Sequence, residues 1–519
     1  MQVGEQIQNI LRYYKNKDYN KALSICDSII KINDKIPEVF NLYGLVLQAQ
    51  NNHKQAINYF NKSIFLNSRD HSSYNNLANS YKSLYLNDLA IENFKKCLKI
   101  YPEYLPALIN FAVLKKELNE HESAIHLFNK ALKIKDGSNK IKLLFSIAEC
   151  YKELGAFQKS IQTLEKVLKL DKNNTAAYYL LSKFINFKDK DTYLKEMEIL
   201  NNDHNLSDSE KINLWFALGK VFEDKNEYEK SFNFYKDANY IKRKSIKYDI
   251  SHFNNLKVSI INFFQKNNIV KLKNYNDNKI VFICGMPRSG TTLVEQIISS
   301  HNKVSASGET SILSNIFGNN SSLLMGNNQD KILNFFSENS LSINNYYFKR
   351  LKNLRLDKNV ITDKTVQNFI WIGFIRSIFP NSKIIHCSRN PKDTCLSIFK
   401  NNFDHSYMSW SYKEQEIIDF YNFYNDLMIF WNNKFPDEIY KVQYETLIND
   451  SENEIKKLVS FCDLDWDPGC LNFHNNKYPV KTASSTQVRQ PMYKTSENYS
   501  KNYEKYMSSV FDKIKTQKE

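Results

Sequence analysis

Through the first half of the chain, small and aromatic residues return at an interval of 34 positions. Ala22, Ala56, Ala90 and Ala124 share one column, and four residues on stand Cys26, Phe60, Phe94 and Phe128. Twelve residues before the last three alanines stand Gly44, Ala78 and Ala112. A two-residue slip falls near Asp136-Gly137, after which Ala148, Tyr151, Ser160, Leu164 and Val167 resume the frame. A further unit fits Gly219, Phe222, Ser231, Tyr235 and Ala238, and the stretch from about 176 to 210 reads as a degenerate copy or an insert. These columns predict a stack of helical hairpins, with small residues where two helices cross and an aromatic filling the gap to the next hairpin. Around residue 278 the period changes. The apolar run Lys279-Ile280-Val281-Phe282-Ile283-Cys284 predicts a buried parallel strand. A Gly-rich turn and an amphipathic helix from Leu293 to His301 follow, and further strands are predicted at Lys383–Cys387 and at Val442. The expected architecture is an α-solenoid over 1–245, a linker over 246–277 and an α/β domain with a central parallel sheet over 278–519.

The columns resemble tetratricopeptide (TPR) repeats, in roughly six units. The resemblance implies either a concave groove for a peptide or protein partner, or a dimerisation or spacer element. Composition changes this picture little. With 519 residues, 42% hydrophobic and 24% charged, the chain has room for two or three domains. No run approaches the roughly 18 apolar residues of a membrane helix, and the first residues do not read as a signal peptide, so a cytoplasmic protein with no membrane span is expected. Eight cysteines lack CxxC or His-flanked spacing, which predicts reduced packing residues and no metal site. The net charge of +15 accompanies 65 asparagines and abundant Lys and Ile, a compositional drift rather than a basic face. The lysines are interspersed with acidic residues and Asn, so nucleic-acid binding is not expected.

The candidate chemistry lies after the first strand. Gly285-Met286-Pro287-Arg288-Ser289-Gly290-Thr291-Thr292 has the geometry in which a helix N-terminus and backbone N–H groups hold a phosphate. The spacing is that of a P-loop, yet Thr291 stands where a nucleoside triphosphatase carries Lys, and the positive charge comes from Arg288. Arg with paired Thr suits a smaller transferred anion, so a Mg²⁺-dependent kinase or ATPase is disfavoured. The loop resembles the 5'-phosphosulfate loop of sulfotransferases that use 3'-phosphoadenosine 5'-phosphosulfate (PAPS). PRSGTT and its helix are most similar to the tyrosylprotein sulfotransferases and the bacterial TPR-fused sulfotransferases.

That resemblance implies a set of roles. Pro287, Arg288, Ser289, Gly290, Thr291 and Thr292 would bind the phosphosulfate. Arg389 and Ser397, in the strand-exit segment from Ser388 to Ser397, match the 3'-phosphate motif, with Asn390 where relatives usually have Asp. Tyr444, in Val442-Gln443-Tyr444-Glu445-Thr446-Leu447, would contact the nucleotide. Ser485, Gln487 and Val488, between Thr482 and Tyr493, would close over the adenosine phosphate. Lys501 would stand in for an Arg that relatives carry in an Arg-Trp pair. Glu309 matches the general base, and Lys364 matches the catalytic lysine, acting with Arg288 on the charge that develops during transfer. His301, His386 and His405 are expected to be structural. The implied reaction is transfer from PAPS to a protein or peptide tyrosine presented by the TPR array. The alternatives are a sugar or small-molecule hydroxyl, or a scaffold that binds nucleotide without turnover. The acceptor pocket is expected on variable loops over 311–350 and 400–425, and the aromatic run from Trp410 to Trp431 is expected in the core.

Overall fold

Aromatic side chains dictate the small columns of the repeat. In the computed structural model, a Cβ at position 44 would lie 2.5 Å from the Phe60 ring, and one at position 219 would lie 2.6 Å from the Tyr235 ring. Only glycine lets each helix approach its partner across those rings. The structure describes residues 3–134, 139–189, 191–267, 271–273, 279–325, 328–354, 356–403, 406–493 and 497–515; Asp136-Gly137 and His405 lie outside them. The chain divides into two compact units, Met1–Cys150 and Tyr151–Glu519.

The first unit is a run of antiparallel helix pairs, Pro37–Ala49 with His53–Leu66, His71–Ser83 with Asn87–Ile100, and Leu105–Glu117 with His121–Lys133. Ala22, Ala56, Ala90 and Ala124 are fully buried, and so are Cys26, Phe60 and Phe94. Asn52 caps one helix by accepting from the Gln55 N–H, and Asp70 caps another through the Ser72 N–H. This is the α-solenoid that the columns predict.

The second unit contains a five-stranded parallel sheet, β1 (Lys279–Gly285), β2 (Val304–Ala306), β3 (Val360–Asp363), β4 (Lys383–Ser388) and β5 (Ile439–Gln443), in the order β2-β3-β1-β4-β5. Phe282 of β1 is in register with Asp363 and with Ile384. Both faces are covered. Ile280, Phe282 and Cys284 enter one hydrophobic cluster and Val281 and Ile283 the other, as the two-residue period of a strand requires. The connection leaving β1 leads to one edge of the sheet and that leaving β4 to the other, which opens a crevice beyond their carboxyl ends.

The repeat-type helices Asp208–Asp224 and Tyr228–Lys244 belong to this same unit. Phe232 stacks on Phe399 and Tyr506, and Arg243 grips Glu416 through Nε at 2.7 Å and Nη2 at 3.0 Å. Within 246–277, the helix Ser251–Lys266 buries Phe263 and Phe264 in the large cluster, with Phe264 beneath Gly373. The stretch 311–350 differs from the loop expected of it. Its Asn and Ser residues sit among Ile, Leu and Phe at helical spacing, and Ile312–Asn319, Ser321–Met325 and Gln329–Lys352 are helices that bury Phe317, Phe336 and Tyr347. Trp410 and Trp431 are core residues, Trp410 stacking on Phe420 with ring centroids 3.9 Å apart.

His386 is buried on β4 with its Nε2 against the Tyr424 hydroxyl. Burial, and secondarily the charge of Lys441, pushes its pKa down to about 3. The ring is therefore neutral in the fold and gains a proton on unfolding, where its pKa is about 6.5. Its contribution to stability is complete above about pH 6.5 and is lost as pH falls toward 3. Urea denaturation should show wild type losing about 2 kcal/mol more than His386→Gln between pH 7 and pH 5. Equal losses would place the acid sensitivity elsewhere.

Candidate active site

Each strand of the sheet delivers a candidate residue where it ends. At the exit of β1, a Cβ on Gly285 would lie 2.3 Å from the carbonyl oxygen of Cys387, so the loop can run tight against β4 only with glycine there. Ser289 Oγ donates to the Met286 carbonyl at 2.7 Å and closes the turn. Gly290, at φ 100°, caps the helix Thr291–Ser299, whose first N–H groups have no acceptor within the helix. Arg288 holds φ 70°, a left-handed conformation unusual for a residue with a side chain. That conformation aims its guanidinium across the site. Nε donates to Ser397 Oγ at 3.0 Å, Nη2 to Gln487 Oε1 at 2.7 Å, and Nη1 to Ser484 Oγ.

At the exit of β4, Arg389 donates to the carbonyl of Arg288 at 3.3 Å and lies 4.9 Å from the centre of the Tyr444 ring, which begins where β5 ends. Asn390 keeps the work of an Asp here. Its side chain accepts from the Asp393 N–H at 3.2 Å and caps the helix Pro391–Phe399, which carries Ser397. Burial, then the like charge of Arg389, lowers the Arg288 pKa to about 10. Two half-buried guanidinium groups so placed form a site suited to a polyanion.

The exits of β2 and β3 bring the other two residues together. Lys364 is 1% exposed, and its Nζ donates to Glu309 Oε1 at 2.6 Å. Tyr407 donates its hydroxyl to Glu309 Oε2 at 2.8 Å. Two buried carboxylates support this pair. Glu295 Oε1 accepts from the Gly308 N–H and from Thr362 Oγ1, fixing the chain on either side of the pair. Asp363 accepts from Tyr347, Thr310 and the Thr365 N–H. Burial raises the pKa of both. Burial, and then the neighbouring Glu309 charge, pushes the Tyr407 phenol far above its ordinary range.

A cleft with about 590 Å³ of empty space opens at the switch point. Its walls include Arg288, Gly290, Thr291, Thr292, Arg389, Tyr444, Gln487 and Val488, eight of the residues anticipated from sequence. Pro287 and Ser289 shape the loop behind it. Ser485 is buried with its N–H on the Thr482 carbonyl, and its neighbour Ser484 is the serine that faces Arg288. Lys501 is exposed on the short helix Tyr499–Tyr503 and is not among the cleft-lining residues. Sequence reasoning missed Ser484, Tyr407, Glu295 and Tyr493. For the first, two adjacent serines give no signal of which one turns inward. For the second, a tyrosine in an aromatic-rich stretch reads as core.

Among the described residues no helix is long and apolar enough to cross a membrane. Residues 281–468 match the sulfotransferase family, and residues 37–70, 71–104, 105–137, 141–174 and 212–245 each match the tetratricopeptide repeat. An uncharacterized protein of Aquifex aeolicus is 31% identical over 349 residues, 65% of this chain and 46% of that protein, so the chain spans less than half of that relative's length. A putative protein-tyrosine sulfotransferase of Caenorhabditis briggsae is 28% identical over 38% of this chain and 70% of its own length. Among solved structures, the crystal structure of MamA matches 33% of this chain and 96% of its own, at 19% identity and a TM-score of 0.29. The chain therefore joins an array of tetratricopeptide repeats to a domain of the sulfotransferase family.

Proposed function

We propose that this protein transfers a sulfuryl group from PAPS to a tyrosine hydroxyl of a protein or peptide that the repeat array binds and presents. The observation that carries the reading is the pairing, at the carboxyl ends of one parallel sheet, of the Arg288–Arg389 cleft with the Glu309–Lys364 pair. The cleft offers two cations and a helix N-terminus to the phosphates. The pair offers a carboxylate for the acceptor proton and a cation for the sulfuryl oxygens. In the step itself the acceptor oxygen forms a bond to sulfur as the sulfur–oxygen bond to the 5'-phosphate breaks. Glu309 takes the acceptor proton, Lys364 and Arg288 stabilise the charge on the transferring and leaving oxygens, and adenosine 3',5'-bisphosphate departs.

A phenolic acceptor is favoured because Glu309 already accepts a phenolic O–H, that of Tyr407. An acceptor tyrosine needs the same reach to the same carboxylate. The name of the Caenorhabditis briggsae relative points the same way. We further take the functional division to be a solenoid over 1–245, a linker over 246–277 and the transferase over 278–519. The test is mass spectrometry of tyrosine peptides, glycans and small phenols incubated with the protein and PAPS. Sulfated tyrosine is expected. Transfer only to sugar hydroxyls would replace the acceptor, and no transfer to any of them would remove the enzymatic reading.

A further inference from the structure

The repeat-type segment approaches the neighbourhood of Arg288 from behind the cleft, through Asn401. Lys183 closes the helix Thr175–Ser182 and is half-buried, its ammonium 4.7 Å from the centre of the Tyr179 ring and 3.4 Å from Asn401 Oδ1. Asn401 Nδ2 donates to the Ser397 carbonyl at 2.7 Å, and Ser397 Oγ accepts from Arg288 at 3.0 Å. The Tyr179 hydroxyl accepts from the Asn402 N–H at 3.3 Å and holds the two segments in place. Lys183 thus stands one amide side chain away from the turn that carries Ser397.

The charges around it do not balance. Lys220 pairs with Asp224, Lys400 pairs with Glu223 at 2.8 Å, and the other oxygen of Glu223 accepts from Tyr235. Lys183 makes no ion pair among the described residues. Among the described residues, Lys183, Lys220, Lys400 and Arg288 therefore face the two carboxylates of Glu223 and Asp224, with Arg389 beyond Arg288. Burial, then the charges of Lys220, Arg288 and Lys400 against the opposing Glu223, brings the Lys183 pKa down to about 7. An uncompensated cation among other cations in a half-buried site is costly unless an anion joins it.

We propose that Lys183 is a ligand of the donor nucleotide's 3'-phosphate, beside Arg389 and Ser397, so that the repeat-type segment forms part of the nucleotide site. This rests on the donor reading given above. The 3'-phosphate is favoured over the phosphosulfate because Lys183 contacts Asn401, which is bonded to the Ser397 turn, whereas the loop helix and Lys364 serve the other end. A phosphate monoester carries close to two negative charges at neutral pH, which matches the surplus.

Calorimetric titration of the full chain with adenosine 3',5'-bisphosphate and with adenosine 5'-monophosphate tests the assignment. Lys183→Gln, which keeps a donor for Asn401, should lower bisphosphate affinity by about 10- to 100-fold and change monophosphate affinity less than about twofold. Lys183→Arg should restore most of the loss. At pH 8, bisphosphate binding by wild type should take up a proton that Lys183→Gln does not, because the anion raises the pKa of Lys183 in its setting of Tyr179, Lys220, Glu223, Arg288 and Lys400. Unchanged bisphosphate affinity in a folded Lys183→Gln, or equal losses for both nucleotides, would overturn the assignment and leave the donor reading intact. Failure of wild type to prefer the bisphosphate would overturn the donor reading and this assignment with it.

Discussion

Glu309→Gln lowers turnover by about 10²- to 10⁴-fold, the range that a positioned proton acceptor supplies. The amide is nearly isosteric: its oxygen can still accept from Lys364 and its NH2 can donate to the Tyr407 hydroxyl oxygen, so the fold around it is retained, but it cannot take a proton from an acceptor hydroxyl. Glu309 is not among the residues lining the cleft, and affinity for adenosine 3',5'-bisphosphate should stay within about threefold of wild type. The pair of measurements is informative together. Unchanged turnover would remove Glu309 as the base, and a parallel loss of nucleotide affinity would make it a structural prop. Tyr407→Phe is the companion variant. If the Tyr407 hydroxyl only occupies the carboxylate until an acceptor replaces it, its removal leaves turnover within a few fold and lowers the KM for the acceptor.

Arg288→Ala should be the second severe loss, about 10²- to 10³-fold in turnover and at least tenfold in bisphosphate affinity. Its guanidinium ties the Gly-rich loop after β1 to Ser397 on the helix after β4 and to Ser484 and Gln487 in the C-terminal loop. Alanine removes a charge from the cleft and lets those segments separate. Arg288→Lys keeps the charge but not the planar fork that reaches three partners from one strained backbone position, so it should recover less than a tenth of the lost activity. Full activity in Arg288→Lys would show that a point charge suffices and that the bridging is incidental.

The structure also explains why some of these residues were legible beforehand and others were not. Gly285, Arg288, Thr291 and Arg389 lie within a few residues of a strand end, and short-range spacing is what a linear pattern records. Glu309 and Lys364 were nameable only through the resemblance to the tyrosylprotein sulfotransferases, because the strands they follow, β2 and β3, are too short to show a period in the sequence. Lys183 gave no signal at all. It is an ordinary lysine at a helix end in the most degenerate stretch of the repeat, and its meaning depends on Asn401, more than 200 residues away. Ser484 and Ser485 differ only in which way a loop turns, and Lys501 lies outward because the Tyr499 and Tyr503 rings take the place against Lys400.

Sequence alone determined the helical hairpins, because a buried aromatic every 34 residues forces a small partner at a set distance, and it determined the tight Gly-rich turn after β1, because a loop pressed against β4 and turning straight into a helix needs glycine at Gly285 and Gly290. Tertiary structure alone decided three things. It placed the last repeat-type helices in one compact unit with the sheet through Phe232, Arg243 and Glu223. It turned the Asn-rich stretch after Ser311 into helices that cover the sheet. It gathered cations from Lys183 to Lys400 around Arg288. The physical reason is common to all three. Burial and charge balance are properties of neighbours in space, and those neighbours come from segments whose spacing along the chain carries no period to read.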